Sequence, residues 1–309
     1  MGPFSRSLSI LIYHRVLPEP DPLIPDVLCA SEFDRQLEAL ARWFTVLPLR
    51  DAVSRLRAGT LPVRAACVTF DDGYADNATV ALPLLRKRGV PATFFIATAF
   101  LDGGRMWNDS VIETVRRAPD GGLDARHVGL ASLPTATLEQ RRAAIDALLG
   151  VLKYLPQEER QGCVDELSVQ ASGGLPSDLM MTAGQVRQLS AGGMDIGAHT
   201  MSHPILAKLE PGRAGIEIGD GKRRLEEITG VPVSLFAYPN GKPGVDYLPE
   251  HVGLVKELGF EAAVSTAWGV AHAWSDLFQL PRFTPWDRTP GRFLLRLVQN
   301  TFRGDAVRV

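Results

Sequence analysis

Short apolar runs of strand length alternate with segments of helical period along the first hundred residues, and few folds tolerate that rhythm. "LSILIYH" (8–14) reads as a buried strand. "SEFDRQLEALARWF" follows, with Phe33, Leu37, Leu40 and Phe44 at helical spacing and Ser31 as the expected N-cap. Then come strand "FTVLPL", helix "LRDAVSRLRAG" ended by Gly59, strand "AACVTF", helix "ADNATVALPLLRKRG" stopping at Gly89, and strand "PATFFIAT". Such alternation demands parallel strands joined by helical crossovers, in a sheet that is open or closed into a barrel.

The rhythm breaks from about Gly103 to Pro176, where "SVIETVRRA", "TLEQRRAAIDALLGVLKYL" and "PQEERQGCVDELSVQ" all read as helices. This predicts a helical insertion at about 103–176, lying over one end of the sheet. Alternation resumes at "TAGQVRQLSAGG", where Thr182 and Gln185 form a capping box. Strand "MDIGAH", helix "GIEIGDGKRRLEEITG", strand "SLFAYP", helix "PEHVGLVKELG" and strand "FEAAVST" follow, making about seven β/α units. "PGRFLLRLVQNTF" is a last helix that closes the array. With 309 residues, the chain fits one barrel domain over 1–309 that carries the insertion. A fold of this length buries about 75% of its unfolded surface and needs no disulfide or structural metal for stability.

A net charge of −2 with no long basic run excludes a nucleic-acid footprint. Cys29, Cys67 and Cys163 are sparse and odd in number, which points to a reducing compartment rather than a disulfide framework. The opening "MGPFSRSLSILIYHRV" has too short an apolar patch for a signal peptide, and no run reaches the ~18 apolar residues of a membrane span. As given, the sequence reads cytoplasmic.

Three strand ends carry residues that a buried strand does not need. Asp71 and Asp72 follow "AACVTF", His199 and His203 lie in "GAHTMSHP", and Tyr238, Pro239, Asn240 and Gly241 end "FAYPNG". In parallel α/β folds reacting groups gather at the carboxyl ends of strands, so all three motifs share one face. Each has a structural reading: Asp-Asp-Gly caps the next helix, and two histidines four apart occur by chance. Pro204 disfavours helix at His203, which puts the pair on a turn. Together, two imidazoles and one carboxylate can hold Zn²⁺ with an open position, leaving a second carboxylate to act as base. The same ligand set also serves non-haem iron oxygenases, normally on antiparallel barrels.

"TFDDG" (69–73), "HTMSH" (199–203) and the Pro-Asn-Gly of "FAYPNG" resemble the ordered motifs of the polysaccharide deacetylases, carbohydrate esterase family 4. "YHR" (13–15) and "PATFF" (91–95) are similar to that family too, and the resemblance runs from about residue 8 to 285 with the insertion outside it. It implies a distorted (β/α)7 barrel that hydrolyses N-acetyl (or N-formyl) groups on amino sugars. Carried over, Asp71 is the general base, and Asp72, His199 and His203 hold the metal, Zn²⁺ or another divalent ion such as Co²⁺, Ni²⁺ or Mn²⁺. Backbone amides near Gly73 or Tyr238 would face the oxyanion, with Tyr238 and Asn240 as substrate contacts.

Two positions depart from the family. Its third motif reads Arg-x-Pro-Tyr-Gly, whose arginine orients the catalytic carboxylate; here Ala237 stands in the arginine's place. Its last motif supplies a histidine as general acid, where "FQLPRF" offers Arg282, which cannot give up its proton near neutral pH. Arg282 instead replaces the lost arginine by pairing with Asp71, and His14, at the end of the first strand, becomes the candidate acid. Such variants resemble deacetylases of bacterial exopolysaccharide systems. The absence of an export signal favours a precursor or lipid-linked saccharide as substrate. Trp107, Trp268 and Trp286 read either as sugar-stacking platforms or as core, and the hydroxyls of Ser265 and Thr266 are equally open. A noncatalytic carbohydrate-binding descendant is the other reading of the altered motifs.

Overall fold

The computed structural model describes residues 6–302 and 307–309; residues 1–5, part of the stretch read above for an export signal, lie outside the described residues. Its frame is seven strands: β1 Leu8–Tyr13, β2 Ala65–Phe70, β3 Ala92–Ile96, β4 Asp195–Ala198, β5 Leu235–Ala237, β6 Ala262–Trp268 and β7 Leu280–Arg282. They pair in chain order and all in parallel. Just past β7, the Phe283 N–H donates to the Ile10 carbonyl at 2.7 Å and the Phe283 carbonyl accepts the Ile12 N–H at 3.0 Å. The first and last strands therefore meet, and the sheet is nearly closed as a barrel.

β1, β2 and β3 are buried along their whole length, as expected where both faces of a parallel sheet are covered. Alternate residues of each strand join different apolar clusters, following the period of two. Leu8, Ile10, Ala65, Cys67, Phe95, Ala237 and Leu280 share one, together with Leu49, Val53 and Leu56 of helix α2 (Leu49–Arg57). Leu11, Tyr13, Val68, Phe70, Phe94 and Phe236 share the other, beneath the outer helices. Those helices are α1 (Ala30–Trp43), α3 (Leu82–Arg88), α7 (Ala183–Ala191), α8 (Pro211–Thr229), α9 (Pro249–Glu257) and α10 (Pro290–Asn300).

A second compact unit comprises residues 20–27 and 103–180. Its helices α4 (Trp107–Arg116), α5 (Leu138–Leu152) and α6 (Gln157–Ser168) enclose Val111, Val115, Leu148, Leu152, Val164 and Leu167. Leu23 joins that core, Arg116 pairs with Asp21 at 2.5 Å, and Arg142 donates to the Pro22 carbonyl at 2.8 Å. The sequence pattern reveals the stretch after 103 but not 20–27, which has no period of its own.

Several local expectations change. "FTVLPL" contributes only the short strand Thr45–Val46, because Pro48 already caps α2. The seventh barrel strand is Leu280–Arg282, too brief for a periodic signal. Ser31 is not the cap of α1; Cys29, two residues earlier, holds that position, and the Glu32 carboxylate accepts the Cys29 N–H at 3.0 Å. The helix expected from Ala75 opens as a π-helical turn, Asn77–Ala81, before α3. The capping box of α7 forms as read, with Gln185 N–H on Thr182 Oγ1 at 3.2 Å and Thr182 N–H on Gln185 Oε1 at 2.8 Å. All three cysteines are free, and no described helix is long and apolar enough to cross a membrane.

Candidate active site

Asp71 extends β2 by one residue, its N–H donating to the Tyr13 carbonyl at 2.9 Å. It keeps the strand phase of Ala65, Cys67 and Thr69, so its carboxylate joins the barrel's interior. The chain then turns abruptly: Asp72 has φ +79° and Gly73 φ +94°. A Cβ at Gly73 would stand 2.9 Å from Ile96 Cγ2, so the turn needs glycine for space as well as for angle. The turn is what sends two adjacent carboxylates in different directions.

His199 leaves β4 with its N–H on the Ile96 carbonyl at 3.2 Å, and its Nδ1 lies 2.7 Å from the Ala237 carbonyl. That carbonyl can only accept, so Nδ1 carries the proton and Nε2 is turned to the carboxylates. Nε2 of His199 lies 3.4 Å from Asp72 Oδ1, and Nε2 of His203 lies 3.5 Å from the same oxygen. Between the histidines, Thr200 (φ +63°) and His203 (φ +54°) both adopt left-handed backbone, which costs roughly 1–3 kcal/mol each.

Asp72 Oδ1 is buried and has no hydrogen-bond partner among the described residues. A buried carboxylate oxygen left without a donor is costly, and here it faces two imidazole nitrogens. Ligand atoms of Asp72, His199 and His203 all fall within 4.8 Å of one another, the one such group among the described residues. Two neutral nitrogens and one oxygen suit a divalent transition metal with positions left open. The residues present fit a metal.

Asp71 stands beside this group, its Oδ2 3.9 Å from His199 Nε2, but its partner is Arg282. The guanidinium grips both carboxylate oxygens, Oδ1 at 2.7 Å and Oδ2 at 2.6 Å. The fork is itself fixed, by Nε on the Ser265 carbonyl at 2.9 Å and by Thr69 Oγ1 at 3.3 Å. Both Asp71 and Arg282 are buried.

Burial pushes the Asp71 carboxyl up, yet the Arg282 charge, with His199 behind it, outweighs burial and holds the group below its ordinary range. Asp72 is likewise pushed up by burial and brought down further by the two histidines. Burial lowers His203 to about 4, so that ring is neutral and free to ligate at neutral pH. Burial also acts to lower His199, but Asp71 and Asp72 override it and raise this ring. The carboxylate field that raises His199 is the field that would hold a cation.

The remaining candidates separate. His14 is exposed at the end of β1, near enough for its charge to act on Asp71, Asp72 and His203. Asn77 Nδ2 holds its carbonyl at 2.8 Å, while Asp76 pairs with Arg15 and accepts the Val16 N–H. Tyr238 is a correction: it is 0% exposed, stacks on Tyr247 at 3.9 Å, and donates its hydroxyl to the Phe278 carbonyl at 3.0 Å. Its N–H is spent on the Val264 carbonyl at 3.2 Å, so it offers neither a side-chain contact to substrate nor an oxyanion donor. Asn240 is exposed on the turn after β5, with φ +57° and its carbonyl accepting Thr266 Oγ1 at 2.8 Å. Ser265 Oγ lies 3.3 Å from the Leu280 carbonyl.

Trp268 ends β6 with its ring 5.3 Å from that of Trp286, which is 60% exposed. Trp107 belongs to the second unit, under the Arg160 guanidinium at 4.9 Å. One residue absent from the sequence reading is Glu217 of α8, whose carboxylate accepts N–H groups of Met201 and Ser202, between the two histidines. Nothing local marks it, since an acid on an amphipathic helix reads as solvated surface.

Residues 58–131 and 164–263 match the model of the family described as polysaccharide deacetylase. YxkH of Bacillus subtilis (strain 168), whose name places it among the polysaccharide deacetylases, is 20% identical over 281 residues, covering 89% of this chain and 70% of its own. Among solved structures, the Streptococcus pyogenes deacetylase PplD, in complex with acetate, superposes with a TM-score of 0.63 at 20% identity, covering 94% of this chain and 98% of its own. IcaB from Ammonifex degensii gives a TM-score of 0.60 at 21% identity, covering 95% and 97%. The two structural likenesses bear on the fold.

Proposed function

The chain belongs to the polysaccharide deacetylase family, hydrolases of carbon–nitrogen bonds, and on that premise we propose that it removes the acetyl group from an N-acetylated amino sugar of an exopolysaccharide or cell-envelope glycan. The observation that carries this reading is the adjacency of two differently equipped carboxylates. Asp72 presents an unpartnered oxygen to two imidazoles, and Asp71 is kept ionised by a buried arginine. The altered third and last motifs favour the exopolysaccharide branch of the family over other substrates.

Asp72, His199 and His203 would hold the metal, Zn²⁺ or another divalent ion such as Co²⁺, Ni²⁺ or Mn²⁺. Bound there, such an ion supplies Lewis acidity, polarising the amide carbonyl and making water a better acid. Asp71 accepts a proton from the attacking water, and Arg282 holds its carboxylate in one orientation while keeping it charged at neutral pH. His14 donates a proton to the departing amine as the carbon–nitrogen bond breaks, leaving acetate and a free amino sugar. Exposed Trp286 and the half-buried Trp268 beside it offer ring faces to the sugar. The iron-oxygenase reading loses its support with the parallel β/α barrel, and an intact base–arginine pair lends none to a noncatalytic descendant.

The test is acetate release from a chitooligosaccharide, lost with a chelator and restored by Zn²⁺ or Co²⁺. Alanine at Asp72, His199 or His203 lowers bound metal and activity together. Full metal content in all three variants would overturn the ligand assignment.

A further inference from the structure

We infer that Glu217 is a positioning residue for the metal site, clamping the turn between His199 and His203 from helix α8; this rests on the metal reading above. The turn holds two left-handed non-glycine residues, Thr200 and His203, within five positions. Backbone strain of this kind persists only where the surroundings over-determine it. Inside the turn, His203 N–H donates to Thr200 Oγ1 at 3.1 Å, and the Thr200 hydroxyl donates to the His199 carbonyl at 2.5 Å. Those two bonds tie the turn to itself but not to the barrel.

The carbonyls of the turn are tied to the segment after β3, with Thr98 N–H on the Thr200 carbonyl at 3.4 Å and Ala99 N–H on that of Met201 at 2.9 Å, and its N–H groups are tied to Glu217. Glu217 Oε2 accepts the N–H of Met201 at 3.0 Å and of Ser202 at 2.8 Å, and its Oε1 accepts the Ser202 hydroxyl at 2.7 Å. All three of its hydrogen bonds among the described residues go to this turn. A carboxylate accepting from neutral donors makes stronger bonds than a neutral acceptor would. Gly221, four residues on and hence on the same helix face, explains how α8 comes so close. A Cβ there would lie 2.7 Å from the Thr200 carbonyl oxygen and 2.8 Å from its carbon. Glu217 and Gly221 thus act as one device, a clamp and the clearance it needs. The imidazole of His203 reaches Asp72 only with the turn in this shape.

The test is zinc affinity, measured by titrating metal-free protein with Zn²⁺ against a chromogenic chelator. Glu217→Gln keeps the size but puts an NH₂ group where an oxygen accepted; Gly221→Ala pushes the turn from the other side. Each raises the zinc Kd by about 10–100-fold, the usual worth of a group that orients a ligand, while the metal-free melting temperature stays within a few degrees. Glu227→Gln, on the same helix but paired with Arg224 at the surface, leaves the Kd unchanged. Wild-type Kd in both Glu217→Gln and Gly221→Ala overturns the inference, and Gly221→Ala decides alone if the first variant does not fold. If wild-type protein takes up zinc and releases acetate while the variants bind as tightly, only the clamp falls. If wild-type protein takes up no zinc, the metal reading falls and the clamp with it.

Discussion

Replacing Arg282 by methionine keeps the volume and removes the charge. In the wild type, Arg282 and Asp71 are 1% and 2% exposed and joined by two bonds of 2.6–2.7 Å. Breaking a buried pair from one side typically costs about 3–5 kcal/mol, because the surviving charge is left without compensation. For a domain of this size the loss lowers the melting temperature by roughly 10 °C. The sign with pH follows from the Asp71 carboxyl, which lies below its ordinary range in the folded protein. A depressed carboxyl contributes stability above its unfolded pKa and loses it as pH falls through the folded one. With Arg282 gone, burial is the largest influence and raises the group, so Asp71 protonates at higher pH in Arg282→Met. The difference in stability between wild type and variant should therefore be greatest at neutral pH and shrink towards acid. In acetate-release assays the acidic limb of kcat/KM moves up, and activity partly returns at alkaline pH. Arg282→Lys restores the charge but not the fork, and falls between. Urea unfolding at pH 7 and pH 5, with a pH–rate profile, measures both effects. An unmoved acidic limb with stability within 1 kcal/mol of wild type would refute the argument.

Asp71→Asn retains bound metal and loses about 10²–10⁴ in kcat, the usual worth of a positioned base; wild-type kcat would remove it from that role. His14→Ala lowers kcat by about 10²–10⁴, the usual worth of a positioned acid, with metal content unchanged, and a wild-type kcat makes His14 a structural residue. Tyr238→Phe costs about 1 kcal/mol through the lost bond to the Phe278 carbonyl and leaves KM alone. A several-fold rise in KM would put the ring back among the substrate contacts.

The four residues of the two acidic and histidine motifs were legible because strand ends announce themselves: an apolar run stops and polar side chains follow. Topology then puts Asp71, Asp72, His199 and His203 together without further information. The pairing of Arg282 with Asp71 was legible only through the resemblance, as a charge missing from one motif and surplus in another. Tyr238 shows the limit of strand-end reasoning. It lies at the right end of β5, but the period of two turns alternate residues outward, and its ring joins Phe236 beneath the helices. The last barrel strand escaped for want of length, and residues 20–27 for want of any period. Glu217 is a long-range partner whose acid looks like any other on a helix surface.

The cation that keeps Asp71 charged arrives 211 residues after it, on the strand that completes the ring. During synthesis, the aspartates and both histidines are all in place before that arginine has been made. Until that strand is added, Asp71 has no guanidinium to hold its carboxylate charged and oriented. Hydrolytic competence then depends on the strand that completes the ring. A circular permutant that moved β7 ahead of β1 would bring the arginine out first and remove that delay.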